Sequence, residues 1–171
     1  DVSDHPAMQE GVRQAQERVS RLLNINGTKT VEDIHRRLGR LMWDECGIMR
    51  SRPGLERALE ELPKLKEEFW NDLRVNGSQQ NLNQTLEHAG RLADFLEFAD
   101  VMCRDALARD ESCGCHLREE HQTPEGEALR DDENFANVSV WEYKGENQTP
   151  QLHHESLEFR ELQPTQRNYK T

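Results

Sequence analysis

The feature that most constrains this chain is a thirty-residue run, from about Gln79 to Ala108, in which apolar residues return at helical spacing. Leu82, Leu86, Ala89, Ala93, Leu96, Cys103 and Leu107 keep a near-heptad register, and Leu92, Phe95, Ala99, Met102 and Ala106 widen the stripe. At 1.5 Å per residue such a helix spans about 45 Å, so it has to lie along others of similar reach. Three further segments supply them. Residues 6–25 place Met8, Val12, Ala15, Val19 and Leu22 on one face, with Pro6 in the first turn. A second helix starts from Thr30 as N-cap, with Glu32 and Asp33 in its first turn and Val31, Ile34, Leu38, Leu41 and Met42 as its apolar face, and stops at Gly47. A third opens at Pro53 and closes at Asn76-Gly77, lined by Leu55, Leu59, Leu62, Leu65, Phe69 and Leu73. Pro63 falls inside it and is expected to break or kink it. Four segments with short connections predict an antiparallel bundle with shallow crossing angles. Asp100 occupies a slot of the long helix that should be apolar. It is expected either to pair with an Arg of a neighbouring helix or to be exposed by a local tilt.

The pattern changes after Arg109. Residues 110–135 are polar, contain Gly114, Pro124 and Gly126, and have no period, so they read as one long loop; a loop of that length in a compact domain is usually functional or docked. From Asn137 to Tyr143, Val138, Val140, Trp141 and Tyr143 give a β-rich alternation, and Leu157, Phe159 and Leu162 are candidates for a second strand. The expected organisation is a helical bundle over 1–109, an ordered or docked loop over 110–135, and a short β-containing arm over 136–171.

Charge narrows the partners. Against 22 basic residues stand 33 acidic ones, a net charge of −11, and the basic ones are scattered, which argues against nucleic acid. No apolar run approaches the ~20 residues of a membrane span. The sequence starts at Asp1 rather than Met and carries no signal-peptide pattern over 1–20, so it reads as a processed product or a piece of something longer. Five Asn-x-Ser/Thr triplets, at Asn26, Asn76, Asn83, Asn137 and Asn147, matter only in a secreted protein. The four cysteines, Cys46, Cys103, Cys113 and Cys115, are expected to be free thiols of an intracellular protein.

Chemistry-bearing residues gather in Glu111-Ser-Cys-Gly-Cys-His-Leu-Arg-Glu-Glu-His121. Cys113, Cys115, His116 and His121 have the donor types for zinc, but a single Cys-x-Cys without a second cysteine pair is poor zinc spacing. A cysteine nucleophile would take His116 or His121 as base, yet no third orienting residue is evident. His153-His154 reads as exposed imidazoles on a strand. The Arg130-Asp-Asp-Glu-Asn134 cluster is either a solvated face, or Arg118 and Arg130 pair with the acids and fold the loop into a rigid Ω-like unit. There is no dinucleotide-binding glycine motif, no P-loop and no convincing Ser/His/Asp order.

Glu111-Ser-Cys-Gly-Cys-His-Leu-Arg-Glu-Glu, then Thr123-Pro-Glu-Gly-Glu, then Arg130-Asp-Asp-Glu-Asn-Phe135, closely resembles the C-terminal region of the flavoprotein subunit of succinate dehydrogenase and fumarate reductase. The family form is Glu-Ser-Arg-Gly-Ala-His, an Arg, acids, and an Arg-Asp-Asp-Glu-Asn block with an aromatic. Ser112, Gly114, His116, Arg118, Arg130, Asp131, Asp132, Glu133 and Asn134 match; Cys113 stands where Arg is usual and Cys115 where Ala is usual. Leu41-Met-Trp-Asp-Glu-Cys-Gly-Ile-Met-Arg50 with Gly54-Leu-Glu, and the closing Gln166-Arg-Asn-Tyr169, are similar to the family as well. The thirteen residues between His116 and Arg130, with their Thr-Pro-Glu-Gly insert, resemble the subtype paired with cytochrome b anchors.

The resemblance implies a spectrin-repeat-like three-helix bundle in which two of the four segments form one broken helix. It implies an FAD-binding domain and a capping domain upstream, holding the flavin and the substrate-binding and proton-shuttling residues. No catalytic, cofactor-binding or metal-binding residue is therefore carried over to this chain; the matching residues are expected to serve docking or structure. The implied partners are those upstream domains, the iron–sulfur subunit and, indirectly, a membrane anchor, and the implied place is the cytoplasmic side of the inner membrane as a peripheral subunit, with this piece itself soluble. The rival readings are a stand-alone helical scaffold or adaptor and the equivalent domain of L-aspartate oxidase.

Overall fold

The computed structural model describes residues 4–145, 148–162 and 164–165. Elements follow in the order α1 (Pro6–Asn24), α2 (Val31–Cys46), β1 (Met49–Arg50), α3 (Arg52–Asp72), α4 (Gln84–Ala108), β2 (Leu117–Arg118), α5 (Asp132–Phe135), β3 (Asn137–Glu142) and β4 (Gln151–Ser156). The fold is the expected mainly α bundle, followed by a loop and a hairpin. Each of the four predicted helical segments is a helix of its own. The chain divides into two compact units, residues up to 40 with 61–98, and residues 41–60 with those from 99 on, so that α2, α3 and α4 each contribute to both. The loop and the hairpin lie in the second.

In the first unit Leu22, Ile34, Leu38, Leu62, Leu65, Phe69, Leu73, Ala89, Leu92 and Leu96 make the core. Polar and aromatic contacts tie the helices around it. Arg18 of α1 meets Asp94 of α4 at 2.5 Å, and Arg21 lies over the Trp70 ring of α3 at 3.9 Å. Arg37 of α2 holds Glu68 of α3 with two bonds of 2.8 and 2.6 Å, a fork that a carboxylate matches. Thr30 caps α2, its hydroxyl accepting from the Asp33 N–H. The apolar face of α1 is buried only at its last turn. Leu22 is enclosed, while Met8 and Val12 are more than half exposed.

Two helix boundaries differ from expectation. α3 continues through Pro63, which sits on the exposed side between buried Leu62 and Leu65; the apolar contacts on both flanks outweigh one lost backbone bond. α4 begins at Gln84, five residues later than predicted, giving about 37 Å of helix. The cause is Asn83. Its amide donates to the Asn76 and Ser78 carbonyls, while its oxygen accepts from the Leu86 N–H, so it caps the helix and folds 76–83 into a turn. Leu82, counted in the heptad, is left exposed.

The α1–α2 connection explains a glycine. Gly27 and Lys29 donate to the Leu73 and Asp72 carbonyls at 3.0 and 2.9 Å, and the Asp72 carboxylate takes the Thr28 N–H at 2.8 Å. A Cβ on Gly27 would lie 1.9 Å from the Asp72 carbonyl oxygen. Gly27→Ala is expected to pull this connection off the end of α3 and lower stability by about 2 kcal/mol, read as a lower urea midpoint with unchanged slope.

In the second unit the core is Cys46, Leu55, Ala58, Ala99, Cys103 and Ala106, joined by the polar side chains Glu111, Ser112 and Arg118. Asp100 pairs with Arg104 one turn along its own helix, at 2.6 Å, rather than with a neighbouring one. β1 and β2 pair in parallel, Met49 with Leu117 and Arg50 with Arg118. β3 and β4 are antiparallel, Val140 opposite His153 and Trp141 opposite Leu152. The second strand is thus Gln151–Ser156, not the Leu157–Leu162 stretch, whose Leu157, Phe159 and Leu162 stay exposed. Val138 and Val140 also face outward, and the half-buried side of β3 carries Ser139 and Trp141. A strand whose two faces are both partly wet specifies its register weakly in the sequence. The Gln166–Tyr169 resemblance and the Asn147 triplet lie outside the described residues.

Candidate functional site

The loop is built around one arginine. Arg118 is fully buried, and its guanidinium donates to the Ala106 carbonyl at 3.1 Å and to Glu120 at 3.1 Å, with Asp110 at 3.1 Å from its second terminal nitrogen. It therefore closes the last turn of α4, where carbonyls without helical partners and the negative end of the helix dipole favour a cation. The backbone on either side is fixed by Ser112. Its hydroxyl accepts from the Arg118 N–H at 2.8 Å and donates to the Arg118 carbonyl at 3.2 Å. Between them Cys113 and His116 exchange backbone bonds of 2.9 and 3.0 Å around a tight turn, with Gly114 at φ +61°, a conformation that glycine adopts without strain.

His116 is committed at both ring nitrogens. Arg50, which can only donate, reaches Nδ1 at 2.9 Å, and Nε2 lies 2.9 Å from the Arg109 carbonyl, which can only accept. The ring is thus neutral, protonated on Nε2. Burial pushes its pKa down; the Arg109 carbonyl opposes this, and the nearby Arg50, Arg118 and Arg109 charges add to it. Because the folded pKa lies below the ordinary 6.5, the unfolded chain binds the extra proton first. This stability is full above about pH 6.5 and falls with acidification at up to about 1.4 kcal/mol per pH unit until the folded pKa is reached. His116→Gln offers an acceptor and a donor without titrating. It is expected to flatten the urea midpoint between pH 6.5 and 5, a window above that of the ordinary carboxylates.

Asp110 collects Arg52 at 3.1 Å, His121 at 3.0 Å and Arg118. The His121 hydrogen bond outweighs partial burial and, with the Arg52 and Arg118 charges, holds its carboxyl below the usual range. Glu120 accepts the Arg52 N–H at 2.6 Å, at the start of α3. At the other end of the loop Glu111 is buried, accepting from Arg109 at 2.7 Å and from the Asp131 N–H at 2.8 Å. Arg109 also donates to the Phe135 and Asn137 carbonyls at 3.1 and 2.9 Å. Asp131 caps α5 by accepting from the Asn134 N–H and amide, Arg130 pairs with Asp132, and Glu133 and Asn134 are exposed. Trp141 of β3 donates to Asp105 of α4 at 2.8 Å.

Of the nine predicted residues, Ser112, Gly114, His116 and Arg118 form one connected unit, and Arg130 to Asn134 form a second. Glu111 joins them through the Asp131 backbone. Arg118 serves Asp110 and Glu120 rather than the 130–134 acids, so the Ω-like pairing holds for Arg130 alone. Sequence reasoning passed over Arg50, Arg109, Asp110 and Glu111 as partners, although a Glu beside an Arg-rich helix end was a usable signal for the last. The zinc set does not assemble: among the described residues no three His, Cys, Asp or Glu side chains gather for a metal. As for a base beside the loop cysteines, both ring nitrogens of His116 are occupied and Nε2 of His121 is engaged by Asp110.

Residues 35–169 match the family model described as the fumarate reductase flavoprotein C-terminal region. The chain belongs to this family. The fumarate reductase flavoprotein subunit of a Serratia species is 29% identical over 163 residues, covering 95% of this chain and 26% of that protein. That of Helicobacter pylori is 30% identical over 161 residues, covering 92% and 22%. A solved quinol fumarate reductase of Escherichia coli aligns with a TM-score of 0.80 at 26% identity, over 95% of this chain and 27% of that one. The chain thus spans about a quarter of the length of the curated relatives it matches, as the C-terminal domain of a fumarate reductase or succinate dehydrogenase flavoprotein.

Proposed function

We propose that this domain braces the FAD-binding part of a succinate/fumarate oxidoreductase flavoprotein subunit and contributes to the surface that meets its iron–sulfur subunit. Catalysis and flavin binding fall to upstream residues, and the assembled subunit sits peripherally on the cytoplasmic side of the inner membrane. The observation that carries this reading is where the motif side chains go. Glu111, Ser112, His116 and Arg118 are used on one another, on β1 and on the end of α4, which makes the loop a fixed surface rather than a reaction centre. The described residues do not fit FAD: no glycine-rich turn links a strand to a helix, and the buried Arg118 guanidinium is directed at the Ala106 carbonyl, Glu120 and Asp110 of this domain. Among the described residues no helix is long and apolar enough to cross a membrane.

The native polypeptide tests the proposal. An antibody raised against this chain, used on membranes and cytosol separately, is expected to find a flavin-fluorescent band several times larger than 20.0 kDa that pellets with membranes. A band at 20 kDa in the cytosol would favour the stand-alone scaffold instead. The 171-residue chain alone is expected to be helical by circular dichroism, to bind no FAD and to oxidise no succinate.

A further inference from the structure

Two of the five Asn-x-Ser/Thr triplets, at Asn26 and Asn76, are Asn-Gly steps. In such a step the backbone nitrogen of the glycine can attack the asparagine side chain, because no Cβ hinders its approach. Both asparagines are exposed, one in the α1–α2 connection and one in the α3–α4 connection. The fold around them is not the same.

At Asn26 the attacking nitrogen is taken. The Gly27 N–H donates to the Leu73 carbonyl at 3.0 Å, Asn26 is bridged to Arg74, and Gly27 is pressed against the Asp72 carbonyl. Bringing that nitrogen to the Asn26 side chain means breaking the connection off the end of α3. At Asn76 the nitrogen is open: among the described residues the Gly77 N–H has no acceptor, and Gly77 is exposed at φ +91°. Two donors also face the reacting groups. Arg74 Nε reaches Asn76 Oδ1 at 3.3 Å, the oxygen on which negative charge develops when the side-chain carbonyl is attacked. The Asn83 amide donates to the Asn76 backbone carbonyl at 2.8 Å, which polarises the peptide group whose nitrogen must lose its proton.

We infer that Asn76 is a site of spontaneous deamidation and that Arg74 promotes the reaction. Hydroxide takes the Gly77 N–H proton, the nitrogen bonds to Asn76 Cγ, and the Cγ–Nδ2 bond breaks, releasing ammonia with a proton taken from water. Water then opens the resulting imide at Cγ, giving aspartate, or at the backbone carbonyl, giving isoaspartate. Water enters, ammonia leaves and nothing is oxidised. In isoaspartate the main chain runs through Cβ and Cγ, so the carbonyl that accepts from Asn83 becomes a free carboxylate. Asn83, the cap of α4, thereby loses a partner fixed by the main chain.

The 171-residue chain, its fold checked by circular dichroism, is aged in mildly alkaline buffer and cut with a glutamate-specific protease. Mass spectrometry reads a gain of about 1 Da at each Asn-Gly step, and an isoaspartate-specific methyltransferase reads the product. Asn76 is expected to convert at least about tenfold faster than Asn26 in the folded chain, and the two at similar rates in urea, where Gly27 is released. Arg74→Leu removes an exposed side chain and keeps the Arg74 N–H bond to the Lys29 carbonyl. It is expected to slow conversion at Asn76 about threefold in the folded chain and not in urea. An intact Asn76, equal conversion at both steps in the folded chain, or folded Arg74→Leu converting as fast as the parent would overturn the proposal. If Arg74→Leu does not fold, the two steps of the parent decide.

Discussion

Arg118→Ala is expected to release the 110–135 loop and to lower the stability of the chain by about 3–4 kcal/mol. The side chain is fully buried and has no solvent to fall back on. Its loss removes the donor to the Ala106 carbonyl at the end of α4, the cation opposite Asp110 and Glu120, and the volume of a fully buried side chain. An unpaired buried carbonyl costs about 1–3 kcal/mol, and the void adds to it. Asp110 and Glu120 are themselves partly exposed and regain water, so they add little. Arg118→Lys separates charge from shape. One ammonium keeps the cation but not the planar fork that reaches a carbonyl and two carboxylates together, so a loss of about 1–2 kcal/mol is expected. Urea unfolding gives the size of the effect, and limited trypsin digestion its place. Cleavage within 110–135 should quicken well before the helices open, because Ser112 and β2 are held through the same residue. An unchanged midpoint for Arg118→Ala would mean that the loop is held by something other than this arginine.

How much of this was legible follows from what each interaction leaves in the sequence. The helices were, because one buried face every 3.6 residues repeats its signature many times; Ile34, Leu38, Phe69, Leu92 and Leu96 are all core residues on predicted faces. Boundaries were less so. The start of α4 depends on a single side chain, Asn83, whose capping geometry competes with a heptad that Leu82 continues on paper. The hairpin was half legible: β3 has β-branched and aromatic residues, but β4 carries His153, His154 and Glu155 and offers no apolar alternation to find. At the loop, residue types were informative and partners were not. His116 suggested a base or a metal ligand, and only its contacts with Arg50, 66 positions away, and with the Arg109 carbonyl show a neutral ring with no free nitrogen. Periodicity says nothing about a polar network closed by tertiary contacts. The motif resemblance located this one, without saying that its members bond to each other.

Glu111→Ala is expected to loosen the other half of the loop at a comparable cost, about 3 kcal/mol, the usual penalty for removing one partner of a buried ion pair. Glu111 is 2% exposed and joins two things that are distant in sequence, the Arg109 guanidinium and the Asp131 backbone. Without it Arg109 keeps the Phe135 and Asn137 carbonyls but loses its counter-charge, and the residue that caps α5 loses its anchor. Glu111→Gln keeps the shape and one acceptor, so it should retain the Asp131 contact and fall between Ala and the parent. The pairing itself is measured by a double-mutant cycle with Arg109→Leu. A coupling of about 1–3 kcal/mol is expected, because once either partner is gone the other is left buried without its charge, and the second removal then adds little. Strict additivity would place the stability of this corner elsewhere, in the Trp141–Asp105 bond or the Phe135 ring. The two loop substitutions also separate two roles. Arg118 ties the loop to the end of α4, whereas Glu111 sets where α5 and the exposed Glu133 and Asn134 stand. If that surface is what docks on the flavin-binding part, Glu111→Ala in the full-length subunit should reduce recovery of the flavin-loaded form even under conditions where the helices remain folded.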